Sequence, residues 1–277
     1  MAKLFDTQER IVPTWLAAAR HLNKLRPRQD RNLLLEIKKP LELTEEDHLV
    51  MARVDGGLAR KNLTLKTVAG TIFPIAMYQK YGRPGYYEEY KEMLKRGQKA
   101  NTWGTYAHRM IERPARELGE TINPLDYLVE KLKAEGQPQR EDGKKVSFAA
   151  TYELSVADPE EDLHPEVDAG GDVPTYNPAF DMREWLGLPC LSHLSFKRVP
   201  KGKGKSKSHV VDLTAVYRAH HYCARALGNL IGLGQLLSFV ATESGLEVGT
   251  LSCLSTHAEL DVAEWGGVEP ANAILNA

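Results

Sequence analysis

Cys190 stands in the stretch WLGLPCLSHLSFKRV (185–199), where it follows a proline and opens an alternating run. A cysteine at the mouth of a strand can act as a nucleophile once a nearby cation lowers its pKa and exposes the thiolate. Free cysteine is also among the most buried residue types and is then inert, so its surroundings must decide. Alternation puts Leu191, His193 and Ser195 on one side of this run and Ser192, Leu194 and Phe196 on the other. Pairing Cys190 with His193 would suit a cysteine hydrolase, but no oxyanion-forming elbow accompanies them. His209, His220, His221 and Cys223 are zinc-ligand types in one run. No second ligand pair at metal-site spacing supports them, so no metal is expected. The glycines of GNLIGLG (228–234) fall inside a helical pattern with no strand and turn before them, which argues against a dinucleotide-binding loop.

The elements that must position these residues are legible in outline. Ile11, Trp15, Leu16 and Ala19 at helical spacing predict a helix over 6–20. A basic loop carrying Arg26, Arg28 and Arg31 leads into an apolar strand from Asn32 to Ile37. Residues 45–60 and 85–97 read as helices, as does PLDYLVEKLKAEG, with Pro124 at its start and Gly136 near its stop. A polar loop over 135–145 precedes VSFAATYELSV (146–156), which alternates like a strand. Long loops follow at about 157–184, acidic and rich in Gly and Pro, and at 200–209, where a basic hairpin tip separates strands 191–199 and 210–217. Residues 222–243 make the strongest helix, with Leu230, Leu233, Leu237 and Val240 on one stripe. Gly245 stops it and GTLSCLS continues as a strand. Helices and strands mix without βαβ alternation, so the expected class is α+β, in one domain spanning 1–277.

Composition narrows the classes of function. Hydrophobic content of 42% and charge of 26% are those of a globular chain, and a net charge of −1 does not suggest bulk binding to nucleic acid. Three scattered cysteines read as reduced thiols, the N-terminus lacks the apolar core of a signal peptide, and no run of about 20 apolar residues appears. The expectation is a cytoplasmic protein with no membrane span.

Taken together, LPCLSHLSF and VYRAHHYCARALGNLIGLGQLLSFVATESGLEVGTLSCLSTHAEL resemble the thymidylate synthase and pyrimidine hydroxymethylase family. In that family a Pro-Cys pair opens a strand and an arginine follows on the next. An asparagine lies eleven residues on, and a Leu/Ile-Glu-x-Gly turn seventeen beyond that. Here the spacing is Arg218 to Asn229 and Asn229 to Leu246, leading into Leu246-Glu247-Val248-Gly249. The likeness is strongest over 185–260 and weaker at NTWGTYAHRMI, which looks like the family's Gly-x-Tyr-x-x-Arg segment.

The resemblance implies a large mixed sheet flanked by helices, packed sheet to sheet as a homodimer. It also implies one-carbon transfer to C5 of a uracil-type pyrimidine nucleotide, with 5,10-methylenetetrahydrofolate as donor. The chemistry explains the residue types: a pyrimidine ring is a poor nucleophile at C5, and thiolate addition to C6 activates it. Hydride from the folate then gives a methyl group, and water a hydroxymethyl group. Carried over, Cys190 is the nucleophile, Arg218 binds phosphate and steadies the thiolate, and Asn229 reads the base edge. Arg31 is a phosphate candidate, Tyr106 lines the pocket, and His221 is a proton carrier.

The sequence departs from the pattern at four places. Ala150 and Thr151 stand where the family has a pair of arginines. Ala76 and Met77 are nearest to where it has a catalytic glutamate. Glu259 and Asp261 replace its sugar-binding His and Tyr, with His257 the alternative, and His221 and Ala219 replace an aspartate and a serine. A catalytically inactive ligand-binding protein on the same fold is therefore the alternative expectation, as is retargeting toward a neutral or cationic ligand.

Overall fold

The computed structural model describes residues 3–4, 9–97, 105–115, 120–135, 152–155, 189–202 and 208–276. Most of the strand expected at 146–156, the loop at 157–184, the centre of the 200–209 tip, and Ala150 and Thr151 lie outside the described residues. The strands are β1 (Lys3–Leu4), β2 (Gln29–Ile37), β3 (Arg113–Ala115), β4 (Glu120–Ile122), β5 (Glu153–Ser155), β6 (Leu191–Lys201), β7 (Ser208–Tyr217), β8 (His220–His221) and β9 (Glu247–Glu259). The α-helices are α1 (Ile11–Lys24), α2 (Glu45–Leu58), α3 (Leu65–Ile72), α4 (Ile75–Gly97), α5 (Tyr106–Ile111), α6 (Pro124–Ala134), α7 (Leu227–Ser244) and α8 (Val268–Asn276).

Seven strands form one mixed sheet in the order β1-β2-β9-β7-β6-β5, with β8 joining the edge of β9 beyond β7, while β3 and β4 pair apart. β2 runs antiparallel to β9, β7 parallel to β9, and β6 antiparallel to β7. This is the α+β class the sequence leads one to expect. Alternation buries Leu33, Leu35 and Ile37 of β2, Val211, Leu213, Ala215 and Tyr217 of β7, and Leu251, Cys253 and Ser255 of β9. On the opposite face, Leu34, Val216 and Leu254 are only half-buried and Thr214 is exposed. Helices α1 and α7 pack against the sheet. Trp15 of α1 donates its indole N–H to the Tyr222 carbonyl at 3.1 Å and meets Trp265 edge-on.

Several boundaries differ from the sequence expectation for identifiable reasons. α1 begins at Ile11, because Pro13 is tolerated only in a first turn, and runs on to bury Leu22. Pairing with β9 extends β2 back to Gln29, so Arg31 stands on a strand and not in a loop. The helix expected at 85–97 is the second half of α4, which breaks at Gly82, where φ is +62°. Helices α3 and α8 were not anticipated. The helix expected at 222–243 starts as a π turn, Tyr222–Ala226, before α7, and ends at Gly245 with φ +70°. Over Tyr222–Ser244 it is long and apolar enough to cross a membrane, with a mean hydropathy of 1.3 across an 18-residue window. It is instead the central core helix, with 78% of that window buried.

The glycines of GNLIGLG serve packing. A methyl group at Gly228 would come within 2.6 Å of Val68, and one at Gly232 within 2.7 Å of the Ala69 carbonyl, both on α3. Close helix approach, with no phosphate involved, accounts for them. The alternation read at 191–196 also needs correction. A bulge between Leu191 and His193 turns Leu191 into the core with Leu194 and Phe196.

Candidate active site

Cys190 sits at the entrance to β6, half-buried, with its backbone held from two directions. The Tyr106 hydroxyl on α5 accepts the Cys190 N–H at 3.0 Å and the Leu191 N–H at 3.4 Å. From the neighbouring strand, the Arg218 N–H donates to the Cys190 carbonyl at 2.8 Å. The Arg218 guanidinium donates to the Pro189 carbonyl. Thr256 of β9 donates its hydroxyl to the carbonyls of Tyr217 and Arg218, fixing the bend at which β7 ends. The structure thus brings Cys190, Arg218 and Tyr106 together, although they are far apart in sequence.

The three cysteines are electrostatically distinct. Burial pushes the Cys253 thiol up to about 12, and burial together with Asp261 pushes Cys223 higher still. Burial also raises Cys190, but there the charges of Arg218 and Arg225 oppose it. Cys190 is therefore the thiol with cations placed to favour its anion. Arg225, exposed on the π turn, also favours ionisation of Tyr106, against burial and the Cys190 charge, which raise that phenol. The sequence reading missed Arg225. Its position between Arg218 and Asn229, inside the family-like stretch, was the available signal.

Asn229 lies in the first turn of α7, 5% exposed, and its amide nitrogen donates to His220 Nε2 at 3.2 Å. His220 is buried, its Nδ1 lies 2.9 Å from Ser255 Oγ, and its ring stacks on Tyr217 with centroids 4.0 Å apart and planes 1° from parallel. Burial, then the neighbouring His221, lowers its pKa to about 3, so the ring is neutral.

The remaining expected residues gather along β8 and the end of β9. His221 Nδ1 lies 4.0 Å from Glu259 and 3.9 Å from Asp261, and His257 lies 3.9 Å from Glu259. Arg31, exposed, is the register partner of His257 across β2 and β9. Asp261 carries a structural task that its expected substrate contact did not include. Its carboxylate accepts the backbone N–H groups of Cys223 at 2.7 Å and Ala224 at 3.3 Å, capping the π turn. Burial raises its pKa, against those amides. Glu259 has no such backbone duty. Ala76 and Met77 lie in the first turn of α4, with Ala76 exposed, so neither supplies an acid. Among the described residues, no group of three or more His, Cys, Asp and Glu side chains is arranged to hold a metal ion.

Of the family-like Leu246-Glu247-Val248-Gly249 run, Glu247 to Gly249 open β9 and are not a turn, and Gly249 has a packing reason. A methyl group at Gly249 would lie 2.0 Å from Asp212 Oδ1, and that oxygen accepts the Thr250 N–H at 2.7 Å where the β7–β9 register shifts.

No family model matches the chain. It is similar to archaeal proteins that carry the name "Putative thymidylate synthase". Identity is 25% to that of Methanococcoides burtonii, 27% to that of Methanosarcina acetivorans and 26% to that of Methanosarcina barkeri. Each match covers 183 residues, which is 66% of this chain and 64% of the relative's length, just under two thirds. Over those residues the chain is a distant likeness of proteins named as thymidylate synthases, in line with the resemblance its motif spacing carries.

Proposed function

We propose that this chain transfers a one-carbon unit to C5 of a uracil-type pyrimidine nucleotide through a covalent adduct on Cys190. The observation that carries the reading is a half-buried thiol with two arginines opposing its burial and a tyrosine hydroxyl at its own backbone. The likeness to proteins named as thymidylate synthases supports the same class of reaction.

In this reading the Cys190 sulfur adds to C6 of the ring, and the electrons released there make C5 nucleophilic. Arg218 and Arg225 favour the thiolate, and Arg218 offers charge-assisted hydrogen bonds to the nucleotide phosphate. The Tyr106 oxygen accepts two backbone N–H groups, which favours its anion against burial and suits the hydroxyl to carry a proton on the ring face beside Cys190. Asn229 reads the base edge.

Methylenetetrahydrofolate is the donor this class of reaction calls for. The aminopyrimidine edge of a pterin is rich in N–H donors and is met best by a carboxylate. Glu259 beside His221 provides one, whereas Asp261 is committed to the backbone. When bound, the folate supplies the one-carbon unit. The sheet face bearing Leu34, Val216 and Leu254 is the surface on which a second copy would pack. Light scattering at twice the chain mass is the expected result, and a monomer at all concentrations would count against it.

The test is hydrogen exchange at C5 of uracil nucleotides in heavy water. Exchange in the wild type, with Cys190→Ala at background and its thermal stability unchanged, is the expected outcome. Exchange that survives in Cys190→Ala would sink the covalent mechanism. A second reading, a binding protein without turnover, is favoured by Ala76 and Met77, which place no acid where the family has its glutamate. Nucleotide binding without exchange would select it.

A further inference from the structure

We infer that His220 is a positioning residue that decides which pyrimidine the pocket accepts, by holding the Asn229 amide in one orientation. The inference rests on the reading that Asn229 faces the base.

An asparagine amide carries two N–H donors on one side and a carbonyl on the other, and it can turn over to present them in the opposite order. By itself it therefore does not choose between uracil, which offers a C4 carbonyl beside an N3–H, and cytosine, which offers an amine beside a bare N3. A neighbour that accepts only, or donates only, removes that freedom. His220 is such a neighbour. Its Nε2 faces Asn229 Nδ2 at 3.2 Å, so Nε2 is the acceptor and carries no proton. The ring proton then resides on Nδ1, which donates to Ser255 Oγ at 2.9 Å. A half-turn of the ring about Cβ–Cγ would put carbons where both nitrogens stand and lose both hydrogen bonds, and the ring is packed flat on Tyr217 and met edge-on by Tyr222 at 5.4 Å between centroids. It is not an imidazolium, since burial keeps it neutral across the physiological range.

One Asn229 N–H is thus spent on His220. Among the described residues the side chain makes no other hydrogen bond, so one N–H and the carbonyl remain. That donor and acceptor complement the C4 carbonyl and N3–H of uracil. With the proton on Nδ1, meeting cytosine would require turning the amide, which sets its carbonyl against the bare Nε2 and leaves both acceptors buried without a donor; satisfying them again would require the proton to move to Nε2 and the Ser255 hydroxyl to reverse and donate to Nδ1. Leaving such a group unsatisfied costs from about fivefold to about a hundredfold in binding.

Two measurements test this. The first is 15N NMR of the imidazole rings in the intact protein. A protonated Nδ1 and a bare Nε2 at His220 are expected, and a proton on Nε2 would overturn the inference whatever the protein acts on. The second is calorimetric titration with UMP, dUMP, CMP and dCMP of the wild type and His220→Phe, which keeps a flat ring against Tyr217 and removes the acceptor. The wild type should favour uracil nucleotides by roughly tenfold, and His220→Phe should bring the two bases close to parity. Should His220→Phe fail to fold, Ser255→Ala asks the same question: it removes the partner that holds the proton on Nδ1, and the same loss of preference is expected. An unchanged preference in a folded variant overturns the inference alone. A wild type that binds none of the four nucleotides overturns the pyrimidine reading, and this inference with it.

Discussion

At the scale of single residues, the site depends on how a thiol in a partly apolar place keeps access to its anion. Burial raises Cys190, and Arg218 and Arg225 pull the other way. Removing either cation leaves burial less opposed. Arg225→Gln should therefore move the pH profile of Cys190 alkylation by iodoacetamide upward and slow the reaction several-fold at neutral pH. A profile unchanged from the wild type would remove Arg225 from the site. The thiol itself was legible in the sequence, because Pro189-Cys190 and the spacing to Arg218 and Asn229 are local patterns. Arg225 was not singled out, since its relevance comes from the π turn that points it back toward Cys190 and Tyr106. The Asn229–His220 contact was equally hidden: in the sequence His220 is one of four zinc-ligand types without a supporting ligand pair, and nothing local places its ring against Tyr217.

At the scale of elements, the family-like spacing survives because glycines permit close approach at fixed places. Gly249 lets the Asp212 carboxylate reach the Thr250 N–H across the irregular β7–β9 register. A methyl group there would displace Asp212 and leave that N–H without its partner. Gly249→Ala is expected to lower stability by about 1–3 kcal/mol in chemical denaturation, and a loss below half of that range would assign the glycine no packing role. Helices α1 and α6, the strands on either side of the hairpin and the long central helix could be read from periodicity. What could not be read was the break in α4, the π turn, the bulge after Leu191, and α3, whose burial is set by the glycines opposite it. These arise from contacts between segments distant in sequence, and no local pattern encodes them.

At the scale of the whole molecule, an ion cluster ties three helices together. Arg83, 9% exposed at the break in α4, lies 2.6 Å from Asp126 and 2.7 Å from Glu130 of α6, and 3.8 Å from Glu243 of α7. Burial raises the Asp126 carboxyl, but hydrogen bonds from Arg83 and Tyr87 together with the Arg83 and Lys133 charges outweigh it and hold the group below its usual range. Glu130 is lowered first by Arg83 and then by Lys133. Because both folded values lie below the unfolded ones, their contribution is complete above the ordinary carboxylate range and is lost as pH falls through the folded values. Denaturation midpoints followed from pH 7 down to 3 should drop more steeply in the wild type than in Asp126→Asn. Parallel curves would mean that the pair is solvent-screened and without weight.

The hydroxyl of Tyr106 bonds to the Cys190 amide across 84 residues of chain. Such a contact closes a long loop, and long loops are closed late because their entropy must be overcome before any contact repays it. The thiol therefore acquires its setting only when α5 docks on the entrance to β6, after the local helices and the β6–β7 hairpin can already have formed. A chain caught short of that step would carry most of its secondary structure and a cysteine with none of the constraints that distinguish it from the other two. Competence here follows the local elements, and a molecule that opens between α5 and β6 forfeits it while keeping them.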